Sequence, residues 1–580
     1  MPASARVSFS AFQRRLLAPA AGLAIFAGCA SAPPAPAPAL PPPTPVARLT
    51  EPQQALNPDP GRHVTAGPFQ ASWESLAQNY ATPDWFRDAK FGIWAHWSAQ
   101  CEPEQGDWYA RNMYIQGSPQ YEDHLARYGP PSQYGFKDID NAWHAENWNP
   151  DALMQLYVKA GAQYFVALAN HHDNFDCWDS KYQPWNSVRI GPHKDIVGIW
   201  AQTARKYGLH FGVTNHSSHA WHWLQVAYGH DVEGPRQGVP YDGWLTKEDG
   251  KGQWWEGLDP QDLYCGPRIL MPDSITTIKE ATAWHKQHDG HWYESVPPED
   301  NGYTDKWFLR TQDLIDKYHP DLLYFDDTEL PLEQAGLDIA ADFYNSNLKW
   351  NGGKLSAVLN AKMLKPAHKP ALVEDLERGV SDVIQPRPWQ TDTCIGNWHY
   401  DVKIFNAHRY KTAERVEQML CDIVSKNGNL LLNIPVKGDG TIDSDEVAFL
   451  HQMADWMAIN REGIFSTRPW KVFGENAPHP VTAGGMFNEG KMVYTAGDIR
   501  FTIKGDTLYA FFLAWPADGR LTIHPLGSGG NSALDRQIAS VSLLGAAAPL
   551  VWQQGADGLR VELPAAAPGP GVSTLKIELR

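Results

Sequence analysis

The stretch Pro320-Asp321-Leu322-Leu323-Tyr324-Phe325-Asp326-Asp327 decides how the rest of this chain is organised. A short apolar run behind a proline predicts a buried strand, and this one delivers two carboxylates at its C-terminal end. In a parallel α/β architecture, functional side chains gather at the carboxyl ends of the strands. A carboxylate placed there can attack an electrophilic carbon or take a proton. It can equally cap the loop or helix that follows, as Asp at the start of a loop often does.

The same rhythm extends on both sides. From about Trp73 to Thr467, strand-like apolar runs at 91–95, 164–169, 209–213, 322–326, 355–359 and 430–434 alternate with amphipathic segments such as 157–162, 196–207 and 308–318. That alternation is the pattern of βα units, and so many in one unbroken segment predict a closed α/β barrel rather than an open sheet. Residues 222–307 interrupt the rhythm with a Gly-, Pro- and Trp-rich insertion, a kind of segment that often shapes a binding face. Beyond Lys471 the runs shorten, alternate and are separated by Gly/Pro turns, as in Phe501-Thr502-Ile503 and Leu575-Lys576-Ile577-Glu578-Leu579. This predicts an all-β sandwich at the C-terminus.

Arg14-Arg15, an apolar run over 16–27 and the small residues around Gly28-Cys29-Ala30 have the makings of an export signal, with a run too short to span a bilayer permanently. Phe26-Ala27-Gly28-Cys29 resembles the bacterial lipoprotein box, with Phe26 where Leu is usual, and implies Cys29 as the lipidated first residue of the mature chain. The protein would then sit in the periplasm or at the outer membrane. Cleavage near Ala30-Ser31-Ala32 would instead release a secreted form. The Pro/Ala-rich stretch that follows predicts an extended tether. The expected layout is an export signal at 1–29, the tether at 30–70, the barrel at 71–468 and the sandwich at 469–580.

At 580 residues and a formal net charge of −17, the chain has room for a large core and no affinity for a phosphate backbone. Nucleic acid is excluded as a partner. The 25 Trp, 22 Tyr and 21 Phe suit either an aromatic core or sugar rings, which present C–H groups on one face. Besides Cys29 there are five scattered cysteines with no CxxC pair, more in keeping with buried small residues than with a disulfide framework.

Four further segments carry chemistry: Lys90-Phe91-Gly92-Ile93-Trp94-Ala95-His96-Trp97 with Asp107-Trp108-Tyr109; Asn170-His171-His172-Asp173 at the end of a strand; Glu374-Asp375-Leu376-Glu377-Arg378-Gly379; and Trp389-Gln390 leading to Gly396-Asn397-Trp398. With Gly428-Asn429-Leu430-Leu431-Leu432-Asn433 they follow one another in an order that closely resembles the α-L-fucosidases of glycoside hydrolase family 29. The resemblance spans roughly Trp85 to Trp470.

It implies a (β/α)8-like barrel with a C-terminal β-sandwich and hydrolysis of terminal α-L-fucosides with retention, by two carboxyl groups about 5–5.5 Å apart. Asp326 matches the family nucleophile, with Asp327 as its neighbouring rival. Many members carry Trp-Glu where this chain has Trp389-Gln390, and an amide cannot donate and recover a proton as a carboxyl does. That departure resembles the α-1,3/4-fucosidase subgroup and implies Glu377 as acid/base, with Glu374 as runner-up. His96, His171 and His172 match positions that bind fucose hydroxyls, Asp107 and Trp108 stand for the family's Glu-Trp pair, and Trp398 matches an aromatic that packs on the sugar.

His171-His172-Asp173 also suggests metal ligation, but no HExxH or other ligand spacing accompanies it, so neither a metal nor another cofactor is expected. The expected partner is a fucosylated glycan, with membrane contact only through the lipid anchor. Two rivals stay open: another retaining glycosidase such as an α-galactosidase, and a carbohydrate-binding protein with a decayed site.

Overall fold

The computed structural model describes residues 61–580 apart from 267, 269, 289–294, 298–301, 477–484 and 531. The export segment, Cys29 and the chain up to residue 60 lie outside the described residues. Eight parallel strands close into a barrel: β1 Phe91–Ala95, β2 Tyr164–Asn170, β3 His210–Asn215, β4 Leu322–Thr328, β5 Val358–Lys362, β6 Val373–Asp375, β7 Trp389–Cys394 and β8 Gly428–Asn433. Closure is by β1 against β8, with Phe91 opposite Leu430 and Trp94 opposite Asn433. The predicted (β/α)8 barrel is therefore present.

Two strands escape the apolar-run criterion, and one is displaced. β6 has only three residues, and β7 reads Trp-Gln-Thr-Asp-Thr-Cys, whose polar side chains are nonetheless buried throughout. β5 begins three residues later than the predicted 355–359 run and ends on Lys362. The polar residues of β7 find partners inside the barrel. Gln390 donates to Asp375 Oδ2 at 2.7 Å and accepts from the Tyr164 hydroxyl at 3.0 Å, while Asp392 Oδ2 accepts from Tyr324 at 2.9 Å. Hydrogen-bonded in this way, they lose much of the penalty that burial otherwise imposes. Gly92 of β1 makes room for the Tyr164 ring, since a Cβ there would lie 2.3 Å from it.

Helices cover the outside of the barrel. Thr65 and Phe69 already dock on the helix Gln334–Trp350, their backbone N–H groups donating to Asp342 and Asn345, so the packed chain begins before residue 70. The long helix Ser444–Ile464 starts at an Asp443–Glu446 capping box and leads into the C-terminal sheets. These comprise β9 Arg468–Glu475, β10 Ile499–Lys504, β11 Thr507–Phe512, β12 Arg520–Ile523, β13 Ile538–Leu543, β14 Val551–Gly555, β15 Gly558–Glu562 and β16 Ser573–Leu579. The larger sheet runs β13-β16-β11-β10-β9 and the smaller β12-β15-β14, around a core that includes Phe501, Phe512, Ile523, Leu559 and Ile577. β12 alternates exposed and buried, as a strand with one wet face must, whereas β11 in the middle of the larger sheet is buried along nearly its whole length. Cys101, Cys177, Cys265, Cys394 and Cys421 are free and buried. Among the described residues no helix is long and apolar enough to cross a membrane.

Barrel and sheets are joined by a buried ionic cluster. Asp422, on the helix Ala413–Ser425, accepts from Lys426 at 2.7 and 2.8 Å and from Arg500 Nε of β10 at 2.5 Å, all three residues being buried. Removing one member of a buried charge cluster leaves its partners uncompensated. Asp422→Ala is expected to destabilise the protein by about 3–5 kcal/mol, seen as a lower urea midpoint. A midpoint unchanged from the parent protein would rule out a structural role for the cluster.

Candidate active site

Because the barrel strands are parallel, the C-terminal ends of β4, β5 and β6 lie side by side: Thr328 pairs with Lys362, and Lys362 with Asp375. Asp326 of β4, Lys362 of β5 and Glu377 of the turn after β6 converge there. The Lys362 ammonium bridges the two carboxylates, bonding Asp326 Oδ1 on one side and Glu377 Oε2 at 2.5 Å on the other. Asp327 points the opposite way, as the next residue of a strand does. It is buried, accepting from Ser218 Oγ at 2.9 Å, with His219 Nε2 3.2 Å away. Glu374 is directed away too: its carboxylate takes the Lys369 ammonium at 2.6 Å.

The environment drives the two central carboxyls apart. Burial would raise the Asp326 carboxyl, but Lys362, His216 and His172 outweigh it and hold it well below the usual carboxylate range. Glu377 is pushed up to about 7 by burial, with Asp392 and Asp326 adding to the effect and Lys362 opposing it. One carboxyl is thus kept ionised while its neighbour holds a proton near neutrality. That is the division of labour of a nucleophile and a general acid.

Above Asp326 stands a wall of buried imidazoles. His216 Nδ1 lies 3.2 Å and His172 Nε2 3.5 Å from Asp326 Oδ2. His96 packs edge-on against His171, His216 and His399, and none of its ring nitrogens or those of His399 has a hydrogen-bond partner in the protein. Burial holds His96, His171 and His172 well below the ordinary histidine range, so these rings are neutral and each offers one donor and one acceptor. Buried polar nitrogens aimed into a cleft are suited to ligand hydroxyls.

Their orientation is set from behind. Gln100 Nε2 lies 2.8 Å from His171 Nδ1 and 3.0 Å from Asp173, and His172 Nδ1 lies 2.9 Å from the His216 carbonyl. Asn170 accepts the His216 backbone N–H at 3.0 Å and donates to Asp176 at 3.0 Å, and Asp176 is in turn gripped by Arg310. Among the described residues two trios could hold a cation, His96–His171–His399 and His171–His172–His216, each with ligand atoms within 4.8 Å of one another. The hydrogen bonds to His171 and His172 orient both rings equally well for sugar hydroxyls.

Aromatic rings line the remaining sides. Trp398 packs at 5.4 Å from Trp94 and 5.7 Å from His96, with the Arg378 guanidinium 5.0 Å over its ring. Trp108 is 42% exposed at the rim in a left-handed conformation, φ 64°, and stands edge-on to Trp223. Asp107 accepts the His399 backbone N–H at 2.8 Å, anchoring the loop that carries Trp398.

The structure therefore gathers Asp326, Glu377, His96, His171, His172 and Trp398 around one cleft, with Asp107 bracing its rim and Trp108 standing on it. It separates Glu374 from them. Lys362, His216, His399 and Trp223 join them, although the sequence patterns pick out none of the four. Lys362 falls past the end of the apolar run taken as β5. His216 directly follows the last residue of β3. Trp223 comes from the start of the 222–307 insertion and packs against His171 and His172 at 5.7 and 5.6 Å.

Comparison with known proteins gives the same picture. A family model described as α-L-fucosidase matches residues 59–462, and one described as the α-L-fucosidase C-terminal domain matches residues 494–578. An α-L-fucosidase of Branchiostoma floridae is 25% identical over 519 residues, covering 86% of this chain and 92% of that protein. The human tissue α-L-fucosidase is 24% identical over 513 residues, covering 86% and 89%. Among solved structures, the Thermotoga maritima α-fucosidase superposes with a TM-score of 0.62 at 22% identity, covering 88% of this chain and all of that one. With matches over both its barrel and its C-terminal sheets, the chain belongs to the α-L-fucosidase family of glycoside hydrolases.

Proposed function

We propose that this α-L-fucosidase is a retaining exo-enzyme acting on terminal, α-1,3/4-linked fucose, with Asp326 as nucleophile and Glu377 as acid/base. The observation that carries this reading is the Lys362 ammonium shared by the two carboxylates. Two oxygens on one ammonium lie no further apart than about 6 Å, twice an ordinary hydrogen-bond length. That agrees with the ~5–5.5 Å of retaining enzymes and falls short of the ~6.5–9.5 Å that leaves room for a water in inverting ones.

Asp326 attacks the anomeric carbon while Glu377 gives its proton to the departing glycosidic oxygen. A water then attacks the glycosyl ester, Glu377 taking its proton and Asp326 leaving as carboxylate. Lys362 keeps Asp326 ionised in a poorly solvated site, and the neutral imidazoles of His96, His171 and His172 receive the fucose hydroxyls. The linkage assignment is supported by Gln390, which is spent on Asp375 and Tyr164 inside the barrel and leaves proton transfer to Glu377. The run before Cys29 supports export and lipid anchoring, with the work done in the periplasm or at the outer membrane.

Four outcomes are expected. Inactivation with a 2-fluoro-fucosyl fluoride, followed by peptide mass spectrometry, should find the adduct on Asp326; an adduct on Asp327 would sink the nucleophile assignment. Since Glu377 must be protonated for the first step, kcat/KM should fall as pH rises through about 7 and stay level below it, because Asp326 remains ionised far into acid. In Glu377→Ala that limb should vanish, and poor leaving groups should lose about 10²–10⁴-fold while good ones lose much less; equal losses would point elsewhere for the acid. Finally, in bacterial expression Cys29→Ser should move the enzyme from the membrane to the soluble fraction, and an unchanged distribution would exclude the anchor.

A further inference from the structure

The turn that carries Glu377 does not stand alone. A segment from the C-terminal region, 485–489, runs along it with five main-chain hydrogen bonds. Gly485 and Val380 exchange N–H and carbonyl in both directions at 3.0 and 3.1 Å, Phe487 N–H donates to the Glu377 carbonyl at 2.9 Å, and Asn488 and Glu489 donate to the Arg378 carbonyl at 3.1 and 3.0 Å. Glu489 pins the segment to the barrel. Its carboxylate takes Lys411 and Thr393 at 2.7 Å each, and its carbonyl takes Arg415 at 2.6 Å.

The segment presents a large apolar side chain to solvent beside the acid/base. Phe487 is 62% exposed and left-handed, at φ 55°. Met363 directly follows Lys362, which bridges the carboxylate pair; it is 59% exposed and also left-handed, at φ 50°, with its sulfur 3.7 Å from Thr328 Oγ1 on β4. A non-glycine residue in this region costs of order 1 kcal/mol and persists only when its surroundings impose it. Both are large apolar side chains open to solvent in the unliganded protein.

We propose that Phe487 and Met363 form the leaving-group subsite, taking the apolar face of the sugar to which the fucose is attached. The inference rests on the fucosidase reading and on one chemical requirement. The oxygen protonated by Glu377 belongs to the leaving sugar, so that sugar must lie against Glu377, and Phe487 is the residue hydrogen-bonded to it. Aromatic and thioether side chains pack against the C–H face of a pyranose without demanding one hydroxyl pattern. Selection of the leaving sugar would thus be shared between the C-terminal region and the barrel, and selection of fucose made by the barrel alone.

The test compares kcat/KM of the full chain on an α-L-fucosyl-(1→3)-N-acetylglucosamine glycoside and on α-L-fucosyl fluoride, whose leaving group is too small to reach either side chain. In Phe487→Ala the oligosaccharide-to-fluoride ratio should drop about 3- to 10-fold, further in the double variant with Met363→Ala, and recover in Phe487→Tyr. The basic limb of the oligosaccharide pH profile should stay where the parent protein has it. A ratio that does not move, or a limb displaced along with the ratio, would overturn the subsite, the latter by tracing the effect to Glu377. A parent protein that hydrolyses neither substrate would overturn the fucosidase reading, and the subsite with it.

Discussion

A single buried ammonium shared by two carboxylates is the interaction on which the rest of this site depends. Placing Lys362 between Asp326 and Glu377 removes a cation from water at a cost of several kcal/mol. Each charge pair at about 3 Å returns about 5 kcal/mol at an effective dielectric near 20, so ionised Asp326 alone offsets that cost while Glu377 carries its proton. The asymmetry within it comes from the remaining neighbours. Asp326 has imidazoles beside it as well as the lysine, whereas Glu377 has two other carboxylates acting on it and only the lysine against them. Equal chemistry at two strand tips is thereby divided into one ionised and one protonatable group.

The imidazole wall follows from burial. Burial holds the imidazoles of His96, His171, His172 and His216 below the ordinary histidine range, so they do not repel one another as cations and pack in ring contact, with His399 edge-on to His96. Neutral rings keep a donor and an acceptor each, the pairing that hydroxyl groups need. The support behind them is ionic and deep: Arg310 holds Asp176, Asp176 holds Asn170, and Asn170 holds the backbone of His216. The helix Tyr303–Tyr318, which carries Arg310, thus takes part in holding the wall alongside the strands.

The C-terminal sheets take part in the same construction. The Asp422–Lys426–Arg500 cluster fixes β10 to a barrel helix, and the 485–489 segment between β9 and β10 reaches the Glu377 turn. Separating the two regions would expose buried charges and release the turn that carries Glu377. This ties the catalytic geometry to a domain that contributes neither of the two carboxyls.

Local pattern alone determined a good part of this protein. The apolar run ending in Asp326, the βα rhythm, the alternating C-terminal strands and the polar tips His96 and His171-His172 were all legible, because each is written in contiguous residues whose periodicity reflects which face is buried. Two strands escaped: β6 is too short to show a period, and β7 buries polar groups that only partners across the barrel make tolerable. Tertiary structure decided what depends on register and closure. These were the meeting of Lys362 with both carboxylates, the separation of Glu374 from Glu377, the arrival of His216, His399 and Trp223, and the strap along the Glu377 turn. Residues far apart in sequence become neighbours when eight strands close side by side, and no local pattern records which strand ends will touch.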